Sequence, residues 1–163
     1  MRRLLAHLFA ADARTRFPAA AMARIAAAIA EGETRHRGEV CFAVEGALPI
    51  REVLRGTTAR ARAEDAFARL RVWDTSDNNG VLVYLLLADH RIEIVADRGL
   101  AGKVSAEQWR GVCQLMEERL RAGEFVEAVL AGITAASDLL AAHYPQRAGG
   151  LDEDELPNAP VFL

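Results

Sequence analysis

Cysteine is scarce in this sequence: Cys41 and Cys113 are the two among 163 residues. No Cys-x-x-Cys occurs and no Cys/His pair has zinc-site spacing, which excludes a disulfide framework and a zinc finger. Both lie among apolar residues and read as reduced core thiols of a cytoplasmic protein. A dominant charge is also missing. The formal net charge of −3 leaves no basic footprint for nucleic acid, and the arginines are scattered along helices near acids, as on solvated faces. No unbroken apolar run approaches the roughly 20 residues of a membrane span. Residues 1–10 suggest a signal peptide only faintly, because His7 and then Asp12 interrupt a short apolar stretch. There is no glycine-rich phosphate loop, Ser-His-Asp order, dinucleotide fingerprint or internal repeat. These absences leave one cytoplasmic domain with no nucleic-acid partner and no membrane insertion. Its 52% apolar content suffices for a core without staples.

The most informative stretch is Trp73-Asp74-Thr75-Ser76-Asp77-Asn78-Asn79-Gly80. Two carboxylates and two amides crowd into six residues, directly before the apolar run 81–88. Such a run marks a strand covered on both faces, and Val40-Cys41-Phe42-Ala43-Val44 is a second. Residues 1–35 read as N-terminal helices: an amphipathic one over 1–12, then one with Pro18 in its first turn and Met22, Ile25 and Ile29 inward. A long helix is predicted from Pro49 to about residue 70, with an inner stripe of Ile50, Val53, Leu54, Thr57, Ala61 and Phe67. Asp89-His90 reads as a two-residue hairpin turn, and 91–96 as a partly exposed strand near the sheet edge. Ser105 with Gln108 forms a capping-box pattern before a helix that buries Trp109, Val112, Cys113, Met116 and Leu120. Gly123 breaks the chain, and a last helix over 124–143 stops at Pro145.

The fold class that follows is α/β, with a small mixed sheet built from one parallel βαβ crossover and one antiparallel hairpin. Residues 1–147 form the single domain. Residues 148–163 are an acidic, proline-containing tail, held extended by Pro157 and Pro160. Its Val161-Phe162-Leu163 offers an apolar anchor to a protein partner or to the chain's own groove.

This topology brings two loops to one sheet edge, since one enters the second strand and the other, Asp97-Arg98-Gly99, leaves the third. Asp74, Asp77, Asn78, Asn79 and Asp97 are expected to converge there, with Glu39 close by. Hard cations require oxygens of this kind, and clustered like charges favour a cation. Two other outcomes are open: Arg98 neutralising Asp74 or Asp77 directly, or Asx turns alone explaining 76–80. The spacing is not that of an EF-hand. His36, His90 and His143 read as surface or capping residues, and Trp73 and Trp109 as core or loop anchors.

Residues 61–145 resemble the TPM-domain family. The resemblance rests on the helix end at 67–70, Thr75 with Asn79-Gly80-Val81-Leu82-Val83-Tyr84, and Arg91-Ile92-Glu93-Ile94-Val95. It rests also on Asp97-Arg98-Gly99-Leu100, Trp109, Arg121-Ala122-Gly123 and His143-Tyr144-Pro145. The closing Glu155-Leu156-Pro157-Asn158-Ala159-Pro160-Val161 looks like the tail of its short soluble bacterial subgroup. The resemblance implies a three-layer α/β/α sandwich and a divalent cation, calcium or magnesium, at Asp74, Asp77 and Asp97. Asn78, Asn79, Arg98 and Glu39 would support that site. It also implies phosphatase activity in some plant members. The expectation is therefore a cation-binding interaction module, with a weak metal-assisted phosphatase as the alternative and no catalytic residue assigned.

Overall fold

A computed structural model describes residues 1–146 and 155–163. Four strands form one sheet: β1 (Val40–Glu45), β2 (Val81–Leu86), β3 (Arg91–Ala96) and β4 (Val161–Phe162), in the order β3-β2-β1-β4. β1 runs parallel to β2 and to β4, whereas β2 and β3 are antiparallel. Every residue of β1 and β2 is buried, as continuous apolar runs demand of central strands. Their period of two divides the core. Phe42, Val44, Val83, Leu85, Ile92 and Ile94 join one apolar cluster, and Cys41, Ala43, Leu82, Tyr84, Leu86 and Val95 join the other.

The first face is covered by α3 (Ala19–Glu33), α6 (Ala106–Arg121) and α7 (Phe125–His143), which supply Ile25, Ile29, Met116, Ile133 and Leu140. The second is covered by α5 (Ala59–Arg69) through Ala59, Ala63 and Ala66. The result is the expected α/β/α sandwich. α7 is long and apolar enough to cross a membrane by composition. Here it is the central helix of its layer, with seven residues buried, and it packs on α3 and α6.

Several boundaries differ from expectation. The helix predicted over 49–70 is two: α4 (Ile50–Leu54) and α5. Between them Gly56 takes a left-handed φ of 78°, and Thr58 starts α5 afresh by accepting from the Ala61 N–H at 3.1 Å. The rotated register explains why the predicted stripe holds only in part: Val53 and Phe67 pack on the core, Leu54 and Ala61 are exposed, and Ala59, Ala63 and Ala66 face inward. Residues 1–12 likewise hold a shorter helix, α1 (Arg2–Leu8), and Asp12 caps a separate turn, α2 (Ala13–Arg16). Pro18 is the N-cap of α3 rather than a residue of its first turn. The β2–β3 connection has four residues, 87–90, because His90 turns left-handed at φ 49°. The capping box of Ser105 and Gln108 is formed.

Part of the tail expected over 148–163 lies outside the described residues. Its remainder returns to the domain. Leu156 is buried, and Val161 and Phe162 pair with Ala43 and Val44 of β1. The apolar anchor thus sits on the chain's own sheet, with the Arg14 guanidinium 4.4 Å from the Phe162 ring centre.

Candidate functional site

The register of β2 and β3 places Val81 opposite Ala96, so the loops before and after them meet as topology requires. The Asp97 N–H donates to the Gly80 carbonyl at 2.9 Å, and the Gly99 N–H to the Asn78 carbonyl at 2.8 Å. Arg98 Nε donates to Asn78 Oδ1 at 2.8 Å. The Tyr144 hydroxyl, from the end of α7, closes the group by donating to the Gly99 carbonyl at 2.5 Å. Glycine is required at both contacts. A Cβ on Gly80 would be driven into the Val72 carbonyl, and one on Gly99 into the carbonyls of Asp77 and Asn78. Asn78 adopts a left-handed φ of 51°, which asparagine tolerates better than most residues.

Convergence of the loops does not bring the three acids together. Asp74 pairs with Arg71 of its own turn, and Asp77 with Arg37, which precedes β1. Asp97 spends Oδ1 on the Arg98 N–H at 2.7 Å, and its Oδ2 is buried without a hydrogen-bond partner among the described residues. The open alternative in which Arg98 neutralises Asp74 or Asp77 is not what forms: Arg98 bonds Asn78. Asn79 is fully buried. Its N–H donates to Thr75 Oγ1 at 3.0 Å and its Nδ2 to the Arg37 carbonyl at 2.8 Å, locking the loop. Glu39 is buried and accepts the Glu155 N–H at 3.2 Å, while the Glu155 carboxylate takes the Ser76 N–H at 3.0 and 3.1 Å. The tail thereby clamps the acid-amide loop.

Calcium needs six to eight oxygens and magnesium a near-ideal octahedron. Among the described residues no group of three acidic, histidine or cysteine side chains could hold a metal ion. As arranged, Asp74, Asp77 and Asp97 do not fit one shared cation. A guanidinium already supplies the compensating charge at two of them.

Beside these loops lies an open cleft of about 450 Å³ along β3, lined by Asp97, Arg98, Arg60, Arg110, Ile94 and Trp109. Burial raises the Glu93 carboxyl at its wall above the usual value, against the opposing pull of Arg60 and Arg91. Burial also pushes the Cys113 thiol there up to about 11, and Cys41 likewise to about 11. Both are protonated at neutral pH, so neither is a ready nucleophile.

Two further charged groups escaped the sequence reading. Glu45, at the end of β1, accepts Arg62 Nε at 2.8 Å, Arg62 Nη2 at 3.0 Å and the Tyr84 hydroxyl at 2.7 Å, all beneath α5. Burial, then Glu45, drives the Tyr84 phenol far up. Asp89, in the hairpin turn, accepts Arg3 Nε at 3.1 Å and His7 Nε2 at 3.0 Å. His7 Nδ1 accepts the Leu48 N–H at 2.9 Å, which fixes Nε2 as the protonated nitrogen of a neutral ring. Burial would raise the Asp89 carboxyl, but the bonds from Arg3 and His7 hold it below its usual value. An ionisable residue that interrupts or ends an apolar run, as His7 does within 4–10 and Glu45 after 40–44, was the available signal. His36, expected at the surface, is fully buried and bridges to Pro145. Trp73 is a half-exposed loop anchor, its indole N–H reaching the Ala68 carbonyl at 3.3 Å.

The TPM domain pattern matches residues 11–139, most of the chain and both facing loops. The chain belongs to the TPM-domain family. A TPM-like architecture recurs in the NMR structure of the BA42 protein from the psychrophilic bacterium Bizionia argentinensis. That structure is 27% identical, with a TM-score of 0.78 over 90% of this chain and 94% of that one. No curated protein sequence matches significantly.

Proposed function

We propose that this TPM domain is a non-catalytic binding module that works through the loops 74–80 and 97–99 and the cleft beside them. The observation that carries the reading is the separate neutralisation of Asp74 by Arg71 and Asp77 by Arg37. Carboxylates held this way are poor water activators, and they keep the loop rigid for recognition. A calcium or magnesium ion is the module's proposed small ligand. Asp97 is the best-supported contact, because its buried Oδ2 has no other partner among the described residues. Engaging Asp74 and Asp77 as well requires Arg71 and Arg37 to swing away. The two unpaired cysteines support a cytoplasmic setting.

Isothermal titration calorimetry with calcium and with magnesium tests the cation. Weak binding is expected, lost in Asp97→Asn and retained in Asp74→Asn. Absence of heat with the wild-type protein removes the ion from the reading.

One observation favours a metal-assisted phosphatase as the second reading. Arg60, Arg98 and Arg110 frame the cleft and suit an anionic substrate. The expected result is no turnover of p-nitrophenyl phosphate with magnesium. Turnover that disappears with chelator and with Asp97→Asn would replace the binding module with a hydrolase.

A further inference from the structure

α1 is mounted with its polar side inward. Arg3 and His7 point into the protein, where Asp89, the Leu48 N–H and the Thr57 carbonyl hold them, the last accepting Arg3 Nη2 at 2.7 Å. The His7 side chain is 0% exposed. Met1, Leu5, Leu8 and Phe9 fall at i, i+4, i+7 and i+8, one stripe of a helix. That stripe faces solvent, with Met1, Leu8 and Phe9 at 102%, 54% and 82% exposure. α4, on which α1 packs, adds Leu54 at 72%. Five of the seven exposed large hydrophobics of the described residues thus lie on these two small helices. An apolar hollow of about 270 Å³ between Phe9, Leu87 and Phe125, bordered by Arg16, continues the surface.

The stripe has a basic rim. Arg2, Arg51 and Arg55 are exposed on the same two helices. Of the acids nearby, Asp89 is shared by Arg3 and His7 and Glu52 by Arg51 and Arg55, so arginines still outnumber carboxylates here when Asp12, the cap of α2, is included. This basic, apolar face belongs to a chain of net charge −3. A second copy meeting it face to face would oppose arginine to arginine. A stable protein interface takes about 20–30 residues on each side, far more than this patch offers. A bilayer needs less, because a few inserted side chains and a few arginines at anionic headgroups suffice for reversible attachment.

We propose that α1 and α4 form a peripheral docking face for an anionic phospholipid membrane. Met1, Leu5, Leu8, Phe9 and Leu54 enter the interface, Arg2, Arg51 and Arg55 contact headgroups, and no segment spans the bilayer. This inference is independent of the cation and phosphatase readings, which concern the opposite end of the parallel strands.

Co-sedimentation of the whole chain with phosphatidylcholine vesicles, alone or mixed with phosphatidylglycerol, tests it. Binding is expected to the anionic vesicles only. It should fall about five-fold for each of Arg51→Ala and Arg55→Ala, and at least roughly ten-fold for Leu5→Asp/Phe9→Asp. Circular dichroism checks that these surface variants remain folded. Failure of the folded wild-type protein to bind anionic vesicles overturns the proposal. So does equal binding by the folded Leu5→Asp/Phe9→Asp variant. A dimer in light scattering that the same variant dissociates, without vesicle binding, would assign the face to a second copy instead.

Discussion

At the leading ends of β1 and β2, Asp74 and Asp77 meet Arg71 and Arg37 with side chains 45% and 38% exposed. At the trailing end of β1, Glu45 meets Arg62 under α5 with its side chain 4% exposed. The bonds are alike in kind and differ in surroundings. Water screens the first pairs, which are worth about 0–1 kcal/mol each. The buried pair has lost its hydration, and Tyr84 fills the remaining acceptor position. Removing Arg62 leaves the Glu45 carboxylate buried with no counter-charge, at a cost of about 3–5 kcal/mol, whereas a guanidinium freed by removing Glu45 keeps Asp65 at 2.9 Å. The acids that attract functional suspicion therefore add little to global stability, whereas an acid that the sequence barely signalled supports the fold.

Arg62→Ala breaks that comparison hardest. It should lower unfolding stability in urea by about 3–5 kcal/mol. A smaller loss is expected in Glu45→Ala, where Arg62 keeps Asp65, and little further loss in the double variant would show that the pair acts as one unit.

Asp89 is intermediate: partly buried, bonded to Arg3 and His7, and depressed below its usual value of 3.8. A depressed carboxyl contributes stability that is full above its unfolded value and lost as pH falls through the folded one. The stability of the wild-type protein should therefore drop below about pH 4. Asp89→Asn should cost about 1–3 kcal/mol at neutral pH and flatten that acid limb. Denaturation curves at pH 7 and pH 3 measure both effects.

Asp74→Asn and Asp77→Asn sit at the small end, each changing stability by no more than about 1 kcal/mol. A larger loss for Asp77→Asn would place Arg37, which also reaches the Pro145 carbonyl at 3.3 Å, among the supports of the loop.

The parts of the fold that showed in the sequence are those with a strong local signal. β1 and β2 are unbroken apolar runs, Ser105 and Gln108 form their capping box, and the meeting of 74–80 with 97–99 follows from strand direction alone. What stayed hidden depends on partners far apart in the chain. Nothing near Asp77 announces Arg37, and nothing near Ser76 announces Glu155. The break at Gly56 rests on one left-handed residue inside a passable helical pattern. β4 has two residues, too few for any periodicity. At the candidate site, position was legible and charge balance was not. Arg71 and Arg37 pair with Asp74 and Asp77, and composition does not reveal which of 20 basic residues do so.

The pairing of β1 with β4 joins Ala43 to Val161. On a ribosome, β1 emerges early and can pair with β2 once the crossover helices follow it. Its other edge stays bare until residues 161–162 have been made. For that interval a largely apolar, central strand offers open backbone groups to any neighbouring nascent chain. Closing the sheet is thus among the slow, non-local steps of folding, and its last two paired residues serve as a seal against misassembly.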